Sequence, residues 1–220
     1  MSSFLGSSIG KKLIMSLSGL FLVTFLLIHL TLNMTLFWGA ETYNAAAGFM
    51  GSNVIMKILE PVLGIGFLIH ILYSLILYFK NLKARPVKYA VFNQKDASSW
   101  SSRNMLLLGI AVASFLVVHL INYFYKVKFT DLIDSGETTE YDLVINLFTL
   151  QYWYFVAIYL IGIIALGLHL NHSFQSAFQT MGINNKYWAR RWKIIGSIYS
   201  LIVTVGFCVI PLYFLLNELI

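Results

Sequence analysis

Five long apolar runs constrain this 220-residue chain more than any other feature of its sequence. A helix needs about 20 consecutive apolar residues to cross the hydrocarbon core of a bilayer. Because a backbone in lipid must satisfy its own hydrogen bonds, runs of this length predict helices rather than strands. The sequence therefore predicts an all-α integral membrane protein with five transmembrane helices in a single domain, residues 1–220. The predicted spans are Leu13–Trp38, Val54–Phe79, Met105–Tyr125, Gln151–Thr180 and Ile194–Leu216.

Composition supports the membrane assignment and narrows the chemistry. Hydrophobic residues make up 59% of the chain and charged residues only 11%, whereas globular domains carry about 25% charged residues. The first run is too long for a signal-peptide core and lacks an Ala-x-Ala cleavage site, so we expect a true first span. The single cysteine, Cys208, excludes an internal disulfide and argues against a cysteine metal cluster.

The charges predict an orientation. Twelve of the 15 Lys and Arg residues flank the first span or lie in the second-to-third and fourth-to-fifth connections. Most of the acidic residues lie in the other connections. The positive-inside rule therefore predicts a cytoplasmic N-terminus and an external C-terminus. Cations clustered between apolar runs set membrane orientation and do not suggest nucleic-acid binding.

Four of the five histidines lie one to a span, in the first four predicted spans: His29, His70, His119 and His169. Given the helical rise, His29 and His119 lie roughly 25 Å from the cytoplasmic edge. By the same measure, His70 and His169 lie roughly 15 Å from that edge. The sequence thus predicts two layers, each with two histidines from non-consecutive spans.

Paired imidazoles at one depth on facing helices are what bis-histidine haem ligation requires. Small residues share a stripe along the helix with two of the histidines, and they leave room for a flat macrocycle or equally for close helix packing. The two stripes are Gly66–His70–Ser74 and Gly162–Ala165–His169–Ser173–Ser176. The alternative is that each histidine hydrogen-bonds a neighbouring helix. A zinc or copper site is disfavoured, because the layers are too far apart for one ion and no Cys, Asp or Glu joins them.

These features together resemble the single-polypeptide, di-haem cytochrome b membrane anchor of succinate dehydrogenase and fumarate reductase. The resemblance covers essentially the whole chain, with one histidine in each of the first four spans and none in the fifth. The local motifs that carry it are Ser16-Leu-Ser18-Gly19, the stretch from His169 through Ser173 to Gly182, Ala84-Arg-Pro-Val-Lys-Tyr89 and Ser101-Ser-Arg103. No single motif is decisive, but their joint arrangement is specific.

The resemblance implies two haems b, a proximal haem between His70 and His169 and a distal haem between His29 and His119. By the same analogy, donors to the propionates of the inner haem are Ser16, Arg103 and Lys193, or these are ordinary interfacial residues. The implied partners are a flavoprotein (FAD) subunit and an iron–sulfur subunit on the cytoplasmic face, and a membrane quinone, with menaquinone the guess. The implied location is the bacterial inner membrane. There the anchor would serve the respiratory chain and the tricarboxylic acid cycle, and the dicarboxylate chemistry would take place in another subunit.

Quinone chemistry moves protons with electrons, so it needs a titratable or hydrogen-bonding group. On the outer side Asn33, Glu41, Lys57 and Glu60 are possible, and Glu60 is our choice, although a helix-start carboxylate is the better explanation of that residue. Some fumarate reductases of this family carry a glutamate two residues before the fourth-span histidine. Gly167 stands there in this chain, so that proton path is not carried over. His172 stays unassigned.

Two other functions fit the same pattern. A cytochrome b anchor of a hydrogenase or formate dehydrogenase uses the same ligation. A transporter could use its histidines to move protons or metal ions, although transporters often show broken helices in matching halves. An optical spectrum separates the cytochromes from the transporter.

Overall fold

The computed structural model describes residues 7–84 and 100–220, and 84% of these residues are helical, with no strand among them. Five helices are long and apolar enough to cross a membrane, as a multi-pass membrane protein requires. We call them the first to fifth spans: Ser8–Trp38, Val54–Lys83, Met105–Phe129, Trp153–Thr180 and Trp188–Asn217. The five predicted spans are confirmed as helices.

The structure corrects several span ends. The first span begins at Ser8 because the Ser7 hydroxyl accepts a hydrogen bond from the Gly10 amide. The fifth begins at Trp188, six residues before the predicted start, because the Asn185 side chain caps it. Side-chain caps at these polar positions extend each helix beyond its apolar stretch.

Shorter helices join the spans. The first span ends in a 3₁₀ turn, Thr35–Trp38, and is followed by the helix Ala40–Ser52. The third span comprises Met105–His119, a π-helical segment Leu120–Tyr125, and Lys126–Phe129. The remaining short helices are Trp100–Arg103 and Glu140–Ile145.

The fourth span is the centre of the bundle. It packs along the fifth, third and first spans, and nine of its residues are buried. The second span packs closely against the first and is buried at Leu77 alone. Within the described ranges, the backbones of the first and third spans do not pack closely together, and neither do those of the second and fourth.

Alternating helix directions give the bundle two chemically different ends. The described cations at the basic end lie at the starts of the first, third and fifth spans and the end of the second. All eight acidic residues in the described ranges lie towards the opposite, acidic end, where Lys128 pairs with Glu60 at 2.8 Å. The connection 130–152 packs Val144, Leu147 and Phe148 into the core.

Candidate functional site

The four span histidines meet in two pairs. The ring centroids of His29 and His119 are 5.7 Å apart, and those of His70 and His169 are 6.4 Å apart. The rings of each pair are steeply inclined, at 84° and 75°. Each pair joins two helices whose backbones do not pack together, so the imidazoles bridge the separation. The pairs coincide with the two layers that helical rise predicts from the sequence.

The His70 imidazole is oriented by the first span. Its Nδ1 lies 3.3 Å from the Met15 carbonyl oxygen and 3.4 Å from the Ser18 hydroxyl. The Ser18 hydroxyl itself donates to the Met15 carbonyl at 2.9 Å, so both neighbours of Nδ1 act as acceptors. Nδ1 therefore carries the ring proton, and Nε2 keeps a free lone pair. This tautomer is the one that metal-ligating histidines use.

Glycines give the inner pair its room. A Cβ on Gly19 would lie 3.1 Å from His70 Cε1, and a Cβ on Gly109 would lie 4.0 Å from His169 Cε1. The motif Ser16-Leu-Ser18-Gly19 thus touches His70 directly, through Ser18 and Gly19. Sequence reasoning assigned Ser16 from this motif and missed the other two residues.

Aromatic rings enclose the outer pair. Phe25 stacks on His29 at 5.3 Å, and Phe207 of the fifth span lies 5.4 Å from the same ring. Tyr123 and Tyr159 lie 5.2 and 6.1 Å from His119. Sequence reasoning missed these neighbours, although aromatic residues four positions from a histidine share its helix face.

The other small residues of the predicted stripes serve helix packing. A Cβ on Gly66 would lie 2.9 Å from the Phe21 ring, and a Cβ on Gly162 would lie 2.3 Å from the Phe115 ring. These two glycines admit aromatic rings of neighbouring spans. The stripes therefore support close packing, the alternative that the sequence left open.

The donor set fits two axial imidazoles on one iron. Metal–imidazole bonds are about 2 Å long, so two rings on opposite sides of one ion have centroids about 6 Å apart. Both pairs have this separation. In residues 7–84 and 100–220 no three His, Cys, Asp or Glu side chains converge, so neither pair gains a third protein ligand. Nδ1 of His119 and of His169 is buried without a hydrogen-bond partner there, so hydrogen bonds through Nδ1 do not explain these two buried rings.

The predicted propionate donors and His172 differ in burial and in their positions on the helices. Ser16 is buried, and it directly follows Met15, whose carbonyl contacts His70. Arg103 ends the short helix Trp100–Arg103 at the basic end. Lys193 is exposed on the fifth span, and His172 is partly buried one turn beyond His169. The motif residues 85–89 lie outside the described residues.

Glu60 does not begin a helix. The second span starts six residues earlier, at Val54, so the helix-start explanation of this carboxylate is wrong. Glu60 instead forms the ion pair with Lys128 of the third span. Of the other outer-side residues, Asn33 donates to the His29 carbonyl at 2.8 Å, whereas Glu41 and Lys57 are exposed.

An open cavity of about 380 Å³ with both polar and apolar walls lies at the acidic end. Asn122, three residues after His119, lines it and donates to the Tyr159 hydroxyl at 3.2 Å. The remaining polar lining comes from Lys126, Asp142, Asn146 and Tyr152. Its lining segment, residues 142–152, is distant in sequence from the histidines, so the sequence pattern did not reveal it.

Comparison with protein-family models, with curated proteins and with solved structures finds no match for this chain. The histidine geometry and its surroundings therefore carry the functional interpretation.

Proposed function

We propose that this chain is the membrane-anchor cytochrome b subunit of a succinate:quinone oxidoreductase, that is, a succinate dehydrogenase or fumarate reductase. The observation that carries the proposal is the meeting of His70 with His169 and of His29 with His119 across helices whose backbones are not closely packed. The two histidine pairs would each hold one haem b, which would supply one-electron transfer. The five-span helical fold also supports the proposal.

The chain's own residues hold and orient these ligands. The Met15 carbonyl and Ser18 hydroxyl fix the His70 tautomer, while Gly19 leaves space beside its ring. Ser16 and Arg103, both towards the basic end, are the propionate donors in this proposal. Around the outer pair, aromatic rings exclude water and position His29 and His119.

The acidic-end cavity supports a quinone site beside the outer pair. Quinone reduction consumes protons, and the Asp142 carboxylate is the acidic group on the cavity wall. Asn122, Lys126 and Asn146 can donate hydrogen bonds to quinone oxygens. The alternative from the sequence, Glu60, is held in an ion pair with Lys128. Menaquinone is the proposed species.

The basic end of the bundle is the proposed binding face for the partner subunits. The positive-inside rule turns the basic end towards the cytoplasm of a bacterial inner membrane. The iron–sulfur subunit and, beyond it, the flavoprotein subunit bind at that end. Electrons then pass between them and the membrane quinone through this chain.

An optical experiment tests the proposal. The chain is purified from membranes in mild detergent, and its dithionite-reduced spectrum and haem content are measured. We expect a b-type spectrum and two haems b per chain. Absence of b-type absorption would refute any cytochrome function. Co-purification of a flavin-bearing subunit, with haem reduction by succinate, distinguishes this function from a hydrogenase or formate dehydrogenase anchor.

A further inference from the structure

A second surface feature lies between the fourth and fifth spans. It is a groove of about 240 Å³, open along the outside of the bundle. Gly167 and Ser200 form its floor, where the Ser200 hydroxyl donates to the Gly167 carbonyl at 2.6 Å. The walls are apolar and exposed, and are formed by Ile164, Leu168 and Leu201.

The groove is separate from the histidine site. Successive residues of a helix are about 100° apart, so Gly167 and Asn171, two positions from His169 on either side, lie about 160° from it. The groove therefore occupies the face of the fourth span opposite to His169. A ligand in the groove does not depend on haem binding.

The end of the groove nearest the basic end is polar. The Ser197 hydroxyl donates to the Asn171 side-chain oxygen at 2.8 Å, and both side chains are exposed. This bond uses the amide oxygen and leaves the two N–H donors of Asn171 without an acceptor in the described part of the chain. Polar groups on a lipid-facing surface are costly unless they find partners. An acceptor from outside the chain would satisfy them.

Lys193 extends the row of polar side chains on the fifth span towards the basic end. Lys193, Ser197, Ser200 and Thr204 follow at helical spacing and share one face of the fifth span. Lys193 is exposed one turn beyond Ser197, towards the basic end. Residues 7–84 and 100–220 place no carboxylate at that end, so Lys193 and its neighbours Arg190 and Arg191 gain none from those residues. Positive charge at a helix start is also unfavourable for the helix dipole.

We propose that this groove binds an anionic phospholipid. The order of groups along the groove matches the order along such a lipid: Lys193 meets the phosphate, the Asn171 amide donates to an ester carbonyl, and an acyl chain lies between Leu168 and Leu201. Basic pockets between transmembrane helices are a recurrent site for anionic head groups. A neutral quinone or a partner helix would leave Lys193 without a counter-charge.

The test compares lipids on the full-length protein in mild detergent. Thermal unfolding is followed with added phosphatidylglycerol, with phosphatidylcholine of the same acyl chains, and with inorganic phosphate. We expect phosphatidylglycerol to raise Tm and the other two to leave it unchanged. Lys193→Gln and Ser197→Leu should abolish the shift. Lys83→Gln, which removes an exposed cation at the basic end of the second span, is the matched control and should retain it.

Native mass spectrometry of the same samples counts retained lipid, so the test does not depend on Tm alone. Equal stabilisation by phosphatidylcholine, or full retention of phosphatidylglycerol by Lys193→Gln, would overturn the proposal. Stabilisation by inorganic phosphate alone would overturn it too, as would a quinone or a second copy of the chain found in place of the lipid. The haem spectrum, recorded separately, reports on the cytochrome function.

Discussion

The Nδ1 atom of His70 lies 3.3 Å from the carbonyl oxygen of Met15, so a histidine on the second span is oriented by the backbone of the first. A carbonyl can only accept, so the ring proton lies on Nδ1 and Nε2 keeps the lone pair that a metal ion could bind. Met15 lies 14 residues before His29 on the first span, about 21 Å along the helix axis, so the two histidine pairs lie at different depths.

We predict that the four histidine variants fall into two classes. His70→Ala and His169→Ala should each remove the same haem, and His29→Ala and His119→Ala should each remove the other. The two histidines of each class form one imidazole pair, so replacing either histidine removes half of the proposed ligand set for that haem. Redox titration of the haem spectrum distinguishes the two sites. Loss of one common haem in His29→Ala and His70→Ala would contradict the pairing.

Gly19 offers a second prediction. A Cβ at this position would lie 3.1 Å from the His70 ring, so Gly19→Ala requires a shift of a few tenths of an ångström, and Gly19→Val requires displacement of the ring. We expect Gly19→Val to lose the inner haem and Gly19→Ala to keep most of it. Gly64→Val is the control, because a Cβ at Gly64 has no atom within 4 Å. Equal haem content in Gly19→Val and the control would show that Gly19 does not matter for the site.

A substitution at Gly167 tests the packing of the fourth span against the fifth. A Cβ there would lie 2.0 Å from Thr204 Oγ1, so Gly167→Ala should destabilise the protein by about 1–3 kcal/mol, the usual cost of overpacking. Adding Thr204→Ala removes the clashing oxygen and should restore part of that stability. Thermal unfolding of both variants measures the coupling. Additive losses in the double variant would argue against the clash.

The proposed quinone site predicts different effects of substitutions at two carboxylates, Asp142 and Glu60. Asp142→Asn should slow quinone reduction by about a hundredfold, the usual scale for loss of a proton-transfer group. It should leave the fold intact, because asparagine can still accept the 2.7 Å hydrogen bond from Thr139. Glu60→Gln should alter the rate little, since it breaks only an exposed ion pair with Lys128. A large effect confined to Glu60→Gln would return the site to the residue chosen from the sequence.

A pH dependence follows from Tyr43, on the helix beyond the first span. Burial, reinforced by nearby Glu140, raises the pKa of Tyr43 from 10.0 to about 12. Between these values the unfolded chain loses the phenol proton and the folded chain keeps it, so unfolding becomes easier as pH rises. The stability contribution is complete below pH 10 and is lost towards pH 12. The stability difference between wild type and Tyr43→Phe, measured by thermal unfolding, should therefore be constant below that range and change within it.

Much of this architecture is predictable from sequence because lipid enforces it. Apolar length located all five spans, and helical rise predicted which histidines share a depth. Rise says nothing about rotation, however, so it could not show that Ser18 and Gly19 face His70 or that Phe207 lies against His29. Helix caps such as Asn185 depend on local hydrogen bonds, and they moved the start of the fifth span. The cavity containing Asp142 depends on a connection folding back onto the bundle, which hydropathy does not encode.

The π-helical segment after His119 lets the third span tolerate a change in length. A π turn holds more residues than an α turn, so it accommodates an extra residue within a continuous helix. Deleting one residue between positions 120 and 125 would turn this segment into regular α-helix, and the residues that follow would keep nearly the same positions around the helix. His119 would stay opposite His29, Lys126 would stay on the cavity wall, and Lys128 would stay beside Glu60. The third span can therefore lose one residue here without disturbing either the outer histidine pair or the acidic end.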